Sequence, residues 1–370
     1  MKKQLTGKLQ TQALIFRLIR DKKEMTKQEI ASTLNLSMPT VLHSVDAMMQ
    51  QGLLSEAGTN ASTGGRKAMK LSLNPLAGYA IGVDLALHHV EIVITNLLGE
   101  ILYRKIVPTR FKDEPDWYYN FEEELSLLLT EHDINADQIL GLGISFPGIV
   151  DEASGYLLKS HILKMENINL DRFKKILPFP LVFANDANCA CVSEYTPERP
   201  TYLYVSLNES VGGAIMLDGK LFLGDTFQAG EIGHMLLHPK GKTCYCGKEG
   251  CADAYLSPLA LLKENETLEN FFYRVENGDL DTQVTWANYL DSLAIFTSNL
   301  RMILNMDIVI GGEIGNYMES YLPLLNRRTG KYDLFARDID YISPCKTKQS
   351  CCAAGAALLA IDRYMNTLLQ

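Results

Sequence analysis

Glu231-Ile-Gly-His234, followed by Cys244-Tyr-Cys246-Gly-Lys-Glu-Gly-Cys251, is the stretch on which the reading of this 370-residue chain turns. One imidazole and three thiols form a complete Cys₃His donor set, which suits a tetrahedral zinc ion with no position left for water. Such a closed site is structural: it fixes a loop and does not activate a nucleophile. Gly241, Gly247 and Gly250 allow the backbone to fold tightly around an ion. A redox dithiol or unrelated free thiols are the competing readings. The other five cysteines, Cys189, Cys191, Cys345, Cys351 and Cys352, lack comparable spacing and are expected in the core.

The surroundings favour the metal. No run of 18 apolar residues is present, so no membrane span is expected. The first residues, Met-Lys-Lys-Gln-Leu-Thr-Gly-Lys, lack the apolar stretch of a signal peptide. A cytoplasmic location follows as the default, where thiols stay reduced and clustered ones serve as ligands.

Polar residues gather near the zinc stretch. Asn185 and Asp186 close a strand-like run, Leu181–Ala184, and Glu231 lies three residues before His234. Amides and carboxylates can grip sugar hydroxyls, and Asp186 could deprotonate one. Plain strand-ending turn chemistry explains an Asn-Asp pair equally well. Gly212-Gly213 and Gly311-Gly312 are candidates for a phosphate cradle, or ordinary turns.

Further out, β-rich runs at Tyr79–Leu85, Val90–Asn96, Ile101–Val107, Ile139–Phe146, Tyr202–Leu207, Gly213–Leu217 and Asp307–Ile310 alternate with helical patterns. Those helices include a stretch around Trp117–Glu131 and an Ala-rich segment, Cys351–Tyr364. The pattern predicts an α/β body of two lobes with a cleft. The expected division is 1–75 for a head, 76–184 for a small lobe, and 185–370 for a large lobe whose last helix returns to the small one.

The head differs in charge. Of 35 Lys+Arg and 44 Asp+Glu, residues 1–75 hold 11 and 5, leaving 24 and 39 for the body. A basic head on an acidic body suits a polyanion met by the head alone. Thr26-Lys-Gln-Glu29 matches a capping box. Ser37, with Pro39 behind it, is a good start for the next helix. That helix is expected to turn Val41, Leu42, Val45, Met48 and Met49 inward. It would leave Ser37, Met38, Thr40, His43 and Ser44 for the DNA major groove. Thr63-Gly-Gly-Arg-Lys67 reads as the basic tip of a wing, with Arg66 and Lys67 available to a narrow minor groove. A small module that contacts protein is the alternative.

Taken together, Glu231-Ile-Gly-His234, the cysteine run, Asn185-Asp-Ala-Asn188 and Ile310-Gly-Gly-Glu313 resemble the ROK family. The wing leading into Leu73-Asn-Pro75 resembles its repressor branch, of NagC/XylR and Mlc type. The resemblance implies a winged helix-turn-helix on a two-lobed, actin-like (ribonuclease H-like) sugar-kinase fold. It implies zinc on His234, Cys244, Cys246 and Cys251. It implies sugar contacts at Asn185, Asp186, Glu231 and His234, with Gly148 beside them. Asp253 stands where the family carries a Glu ligand, one methylene shorter. In kinase members the residue matching Asp186 is the general base.

The departures point away from catalysis. Family kinases hold ATP phosphate with Asp-x-Gly-Gly-Thr; here Asp84 is followed by Leu85, Ala86, Leu87 and His88. The second phosphate loop, Gly-Thr-Gly in the family, reads Asn208-Glu209-Ser210. A carboxylate ~4 Å from a phosphate charge is repelled by about 4 kcal/mol at an effective dielectric near 20. The expectation is therefore a non-enzymatic, sugar-responsive regulator of carbohydrate genes, with Asp186 a vestigial base. Its expected partners are operator DNA, a sugar or sugar phosphate, a second or further copies of itself, and possible contact with a sugar-transport protein. The competing function is an ATP-dependent sugar kinase with a DNA-binding head.

Overall fold

The computed structural model describes residues 2–59, 69–335 and 339–367. Arg66, Lys67 and the wing tip lie outside them. The chain divides into two compact units. The first holds Met1–Ser145, Leu170–Ala184 and Ala353–Gln370; the second holds Phe146–Asn169 and Asn185–Cys352.

The first unit opens with α1 (Lys2–Lys22), a short β1 (Glu24–Thr26), α2 (Lys27–Thr33) and α3 (Met38–Gln50). Thr26 and Glu29 form the predicted capping box, the Thr26 amide reaching Glu29 Oε2 at 2.7 Å. Ser37 caps α3 through the Thr40 amide. Next come β2 (Leu54–Thr59) and β3 (Met69–Leu73), and the three strands pair antiparallel in the order β1-β3-β2. The third strand, β1, is not apparent from the sequence, because three residues cannot establish an alternation.

Two expectations are corrected in α3, Leu42 inward and Ser44 outward. Ser44 is 1% exposed and Leu42 is 40% exposed. Buried Val41, Ser44, Val45 and Met48 occupy positions i, i+3, i+4 and i+7, one stripe of a 3.6-residue helix. Leu42 lies about 100° off that stripe. Residue type misassigned both.

The rest of the first unit is built on one five-stranded sheet, ordered β11-β7-β4-β5-β6. β4 (Tyr79–Leu85), β5 (Val90–Asn96) and β6 (Ile101–Val107) form an antiparallel meander. After α4 (Pro115–Glu131), β7 (Ile139–Phe146) joins β4 in parallel. Trp117, Tyr118 and Phe121 of α4 cluster with Phe111 and Phe173 in edge-on and stacked pairs.

β8 (Ile149–Asp151), β9 (Tyr156–Ser160) and β10 (Met165–Asn169) follow, and pair only with one another. They belong to the second unit, whereas the sequence division assigned them to the small lobe. Asn185 anchors this meander through the Gly148 carbonyl, 3.0 Å away. The chain then returns through α5 (Asp171–Ile176) and β11 (Leu181–Asn185) to the first unit's sheet.

The second unit continues with α6 (Asp186–Ser193), β12 (Tyr202–Leu207), β13 (Val211–Leu217), β14 (Lys220–Phe222), α7 (Asp253–Leu256), α8 (Leu268–Glu276) and α9 (Leu280–Leu304). β15 (Asp307–Gly311), α10 (Gly312–Gly315), α11 (Met318–Thr329) and β16 (Ile342–Pro344) complete it. Its sheet runs β14-β13-β12-β15-β16, with β12, β15 and β16 parallel. Leu203, Val205, Ile308 and Ile310 pack on Trp286, Leu290, Leu293 and Phe296 of α9. Gly212 and Gly213 pair with Ser206 and Val205 inside β13. They are strand residues and do not form the turn expected of a phosphate cradle.

The last helix, α12 (Cys351–Thr367), passes from the second unit to the first at Ala353. It crosses β4 and β7 closely. A Cβ on Gly82 would lie 1.8 Å from the Ala353 carbonyl oxygen, and one on Gly143 would lie 2.0 Å from that of Ala356. Its far end packs into the head. Ala357, Ala360, Ile361 and Met365 share one core with Ile15, Phe16, Ile19, Val45 and Met48. The head is therefore not a self-contained module ending at residue 75: it is buried against the helix that ends the chain. Of the cysteines expected in the core, Cys189, Cys191, Cys345 and Cys352 are buried and Cys351 is half-buried.

Candidate metal centre and ligand site

The loop after β14 enters a short helical turn, Ile232–His234, that aims the His234 imidazole. The cysteines lie on a knuckle. Thr243 bridges Glu249, the Cys244 amide reaches the Lys248 carbonyl at 2.8 Å, and the Gly247 amide returns to that of Cys244 at 2.9 Å. Gly250 closes the knuckle at φ 86°, where a Cβ would lie 2.0 Å from the His238 carbonyl oxygen. Only glycine fits there.

The donor atoms of His234, Cys244, Cys246 and Cys251 all lie within 4.8 Å of one another. Cys246 and Cys251 Sγ are 3.7 Å apart, and Cys244 Sγ is 3.8 Å from His234 Nδ1. Metal–sulfur bonds of ~2.3 Å in tetrahedral directions separate sulfurs by about 3.8 Å, so the spacing fits an ion. It does not fit a disulfide, whose sulfurs lie ~2.05 Å apart. Burial pushes the Cys244 thiol up to about 12. A bound cation removes that cost by stabilising the thiolate.

The same unit also holds the polar residues expected to contact a sugar, and Glu231 is near enough to Asp186 to act on its charge. Asn185 spends its carbonyl oxygen on capping α6, through the Asn188 amide at 3.1 Å. Its amide donates to the Gly148 carbonyl and, at 2.8 Å, to Asp186 Oδ1. Asn185 thus acts as a cap and a positioning group together. Desolvation, with the Glu231 charge beside it, raises the Asp186 carboxyl to about 6. Desolvation also raises Glu231. Asp253 is buried, accepts the Val211 amide at 2.7 Å, and is raised to about 6 by burial. One of its oxygens is thereby committed to the backbone.

Two residues at this site are absent from the sequence reading. The Tyr245 hydroxyl is 3.5 Å from His234 Nε2, and its ring lies 5.3 Å from that of His161 on the β9–β10 turn. Tyr245 could have been found: a residue between two metal-binding thiols must project away from the ion. His161 carries no sequence signal, because only the meander brings it here.

Two hydrogen bonds lie at positions that the resemblance compares with phosphate loops. Ser145 donates to Asp84 Oδ1 at 2.7 Å. The Glu313 amide, next to Gly311-Gly312, is taken by Asn208 Oδ1 at 2.7 Å.

In the head, the exposed face of α3 presents Ser37, Met38, Thr40, His43 and the unanticipated Leu42. Ser37 and Thr40 hydroxyls bond each other at 2.8 Å. Among the described residues, no helix is long and apolar enough to cross a membrane.

The sequence profile of the ROK family matches residues 80–363. The chain is 29% identical to the xylose repressor of Caldicellulosiruptor bescii, over 74% of this chain and 69% of that protein. It is 23% identical to the xylose repressor of Bacillus subtilis, over 96% of each. The solved structure of a ROK family transcriptional regulator, a homolog of the E. coli MLC protein, superposes with a TM-score of 0.83 at 20% identity. That match covers 98% of this chain and 99% of the other.

Proposed function

This chain belongs to the ROK family, and from that premise we propose that it is a sugar-responsive transcriptional repressor of carbohydrate-utilisation genes. The observation that carries this reading is the extent of the likeness: it runs through the head as well as the body in proteins named as xylose repressors. A kinase has no need of the head.

Zinc on His234, Cys244, Cys246 and Cys251 would supply a structural cross-link that holds the knuckle against Ile232–His234. The chain's own residues do the rest. Asn185 orients Asp186, and Asp186, Glu231 and His234 present acceptors and a donor to sugar hydroxyls. Gly148 and Asp253 flank them. No phosphoryl transfer is proposed: Asn208 fills the amide beside Gly311-Gly312, and Leu87 and Glu209 replace phosphate-binding residues. The names of the relatives make D-xylose the first effector to try.

Output is delivered by α3 in a major groove, through Met38, Thr40, Leu42 and His43, with Ser37 setting the helix start and Arg66 and Lys67 on the wing. Two heads from a symmetric dimer, or from a tetramer, would read a pseudo-palindromic operator. A sugar changes DNA affinity only by binding one conformational state better than another. The test is fluorescence anisotropy on the DNA upstream of the protein's own gene and of neighbouring sugar genes. Specific binding that D-xylose or another monosaccharide shifts is expected. Absence of specific binding in every condition would sink the reading. ATP turnover across the same sugars should stay at background.

A further inference from the structure

Three rings meet at the rim of the ligand site, each from a different segment. His161 comes from the β9–β10 turn, His234 from the turn after β14, and Tyr245 from the knuckle. The centroids lie 5.3 Å apart for His161 and Tyr245, 5.4 Å for His234 and Tyr245, and 6.3 Å for the two histidines. His234 turns Nδ1 toward Cys244, so Nε2 is the nitrogen left for a ligand. The Tyr245 hydroxyl stands 3.5 Å from that nitrogen and also bonds Ser210. Tyr245 is half-exposed beside that nitrogen, so a ligand that reaches Nε2 meets the phenol.

The charges around the trio restrict the ligand further. Glu231 and Asp253 act on Tyr245 with their carboxyl groups, and Asp186 lies beside Glu231. Lys248 donates to the His234 carbonyl at 3.1 Å, and Lys159 is paired with Glu166 at 2.8 Å. A phosphate on the ligand would meet carboxylates and two cations already engaged.

We propose that Tyr245, braced by His161, is the specificity-determining residue of the ligand site, and that it selects a compact, uncharged aldose over N-acetylated and phosphorylated sugars. This inference rests on the sugar-responsive reading above. A pentose or an unsubstituted hexose keeps Nε2 of His234 and the Tyr245 hydroxyl as a paired donor and acceptor. A bulkier substituent has to displace the phenol ring.

The experiment is calorimetric titration of the full-length protein with D-xylose, D-glucose, N-acetyl-D-glucosamine and D-glucose 6-phosphate. Wild type, Tyr245→Phe and Tyr245→Ala are compared, with metal content measured for each. Wild type should prefer an unsubstituted sugar by roughly tenfold or more, the discrimination a shaped pocket can supply. Tyr245→Phe should keep the ranking and weaken the best sugar roughly two- to tenfold, as expected for one net hydrogen bond. Tyr245→Ala should shrink the preference to roughly threefold or less by admitting the substituted sugars.

A wild-type preference for the phosphorylated or N-acetylated sugar overturns the proposal. So does an unchanged preference in Tyr245→Ala at full metal content. Should Tyr245→Ala lose metal, Tyr245→Phe decides, and wild-type affinity in that variant overturns the proposal. Sugar binding with unaltered ratios defeats this inference alone. If no sugar binds wild type, the sugar-responsive reading falls and takes this inference with it.

Discussion

Asp186 is the carboxyl of the proposed sugar site whose ionisation can be followed directly. Its pKa is raised to about 6, first by desolvation and then by the charge of Glu231. The folded state therefore binds its proton more tightly than the unfolded chain does. The associated stability is fully present below about pH 4 and is lost as pH rises through about 6. Asp186→Asn cannot ionise. It should raise stability at pH 7.5 by on the order of 1–2 kcal/mol, allowing for partial solvent screening, and leave it unchanged at pH 4. Thermal melts at the two pH values check this, and an equal effect at both would be evidence against it. The same variant should weaken sugar binding, because the amide loses an acceptor oxygen. At this scale the sequence identified the carboxyl and its neighbours but not their hydrogen bonds. Neighbouring Asn185 reads as a sugar contact or a turn, and the structure gives it a cap and a positioning role.

Among the elements, the knuckle and α12 carry the sharpest expectations. Chelation, or Cys246→Ser, should release the ion and lower the melting temperature by several degrees, with metal analysis reporting the loss. An unchanged melting temperature in metal-free protein would mean that the knuckle closes by itself. Gly82→Ala would place a methyl 1.8 Å from the Ala353 carbonyl oxygen, forcing α12 off the sheet. A loss of about 1–3 kcal/mol is expected, as for overpacked cores, and denaturant titration measures it. The central strands were legible because continuous apolar runs such as Ile139–Phe146 and Tyr202–Leu207 have few other uses. The β8–β10 meander was not. Met-Glu-Asn-Ile-Asn of β10 is polar and mostly accessible, so it lacks the alternation of a half-buried strand. α9 was missed for the opposite reason: its buried residues spread around much of the helix, which blurs a single stripe. The Leu42 and Ser44 exchange in α3 shows that spacing outranks residue type when the two disagree.

For the whole molecule, the informative fact is where the head's core ends. Arg20 and Asp362 are paired at 2.9 Å, but partly exposed ion pairs contribute less than about 1 kcal/mol. The weight lies in Ile15, Phe16 and Ile19, buried in one cluster with Ala357, Ile361 and Met365. Residues 1–75 expressed alone should therefore lack a cooperative melt, as circular dichroism can show; a sharp two-state transition in the fragment would refute this. The charge asymmetry marks the head as chemically distinct and carries no information about what the head packs against.

That seam constrains how such a regulator can be re-addressed. A chimaera that joins another relative's head at residue 75 would place foreign side chains against the surface of α12 around Ile361 and Met365. The graft and the last helix form one interlocking part made from opposite ends of the chain, so they have to be transplanted together. Recombination that exchanges heads between paralogues should leave its trace in the C-terminal helix as well.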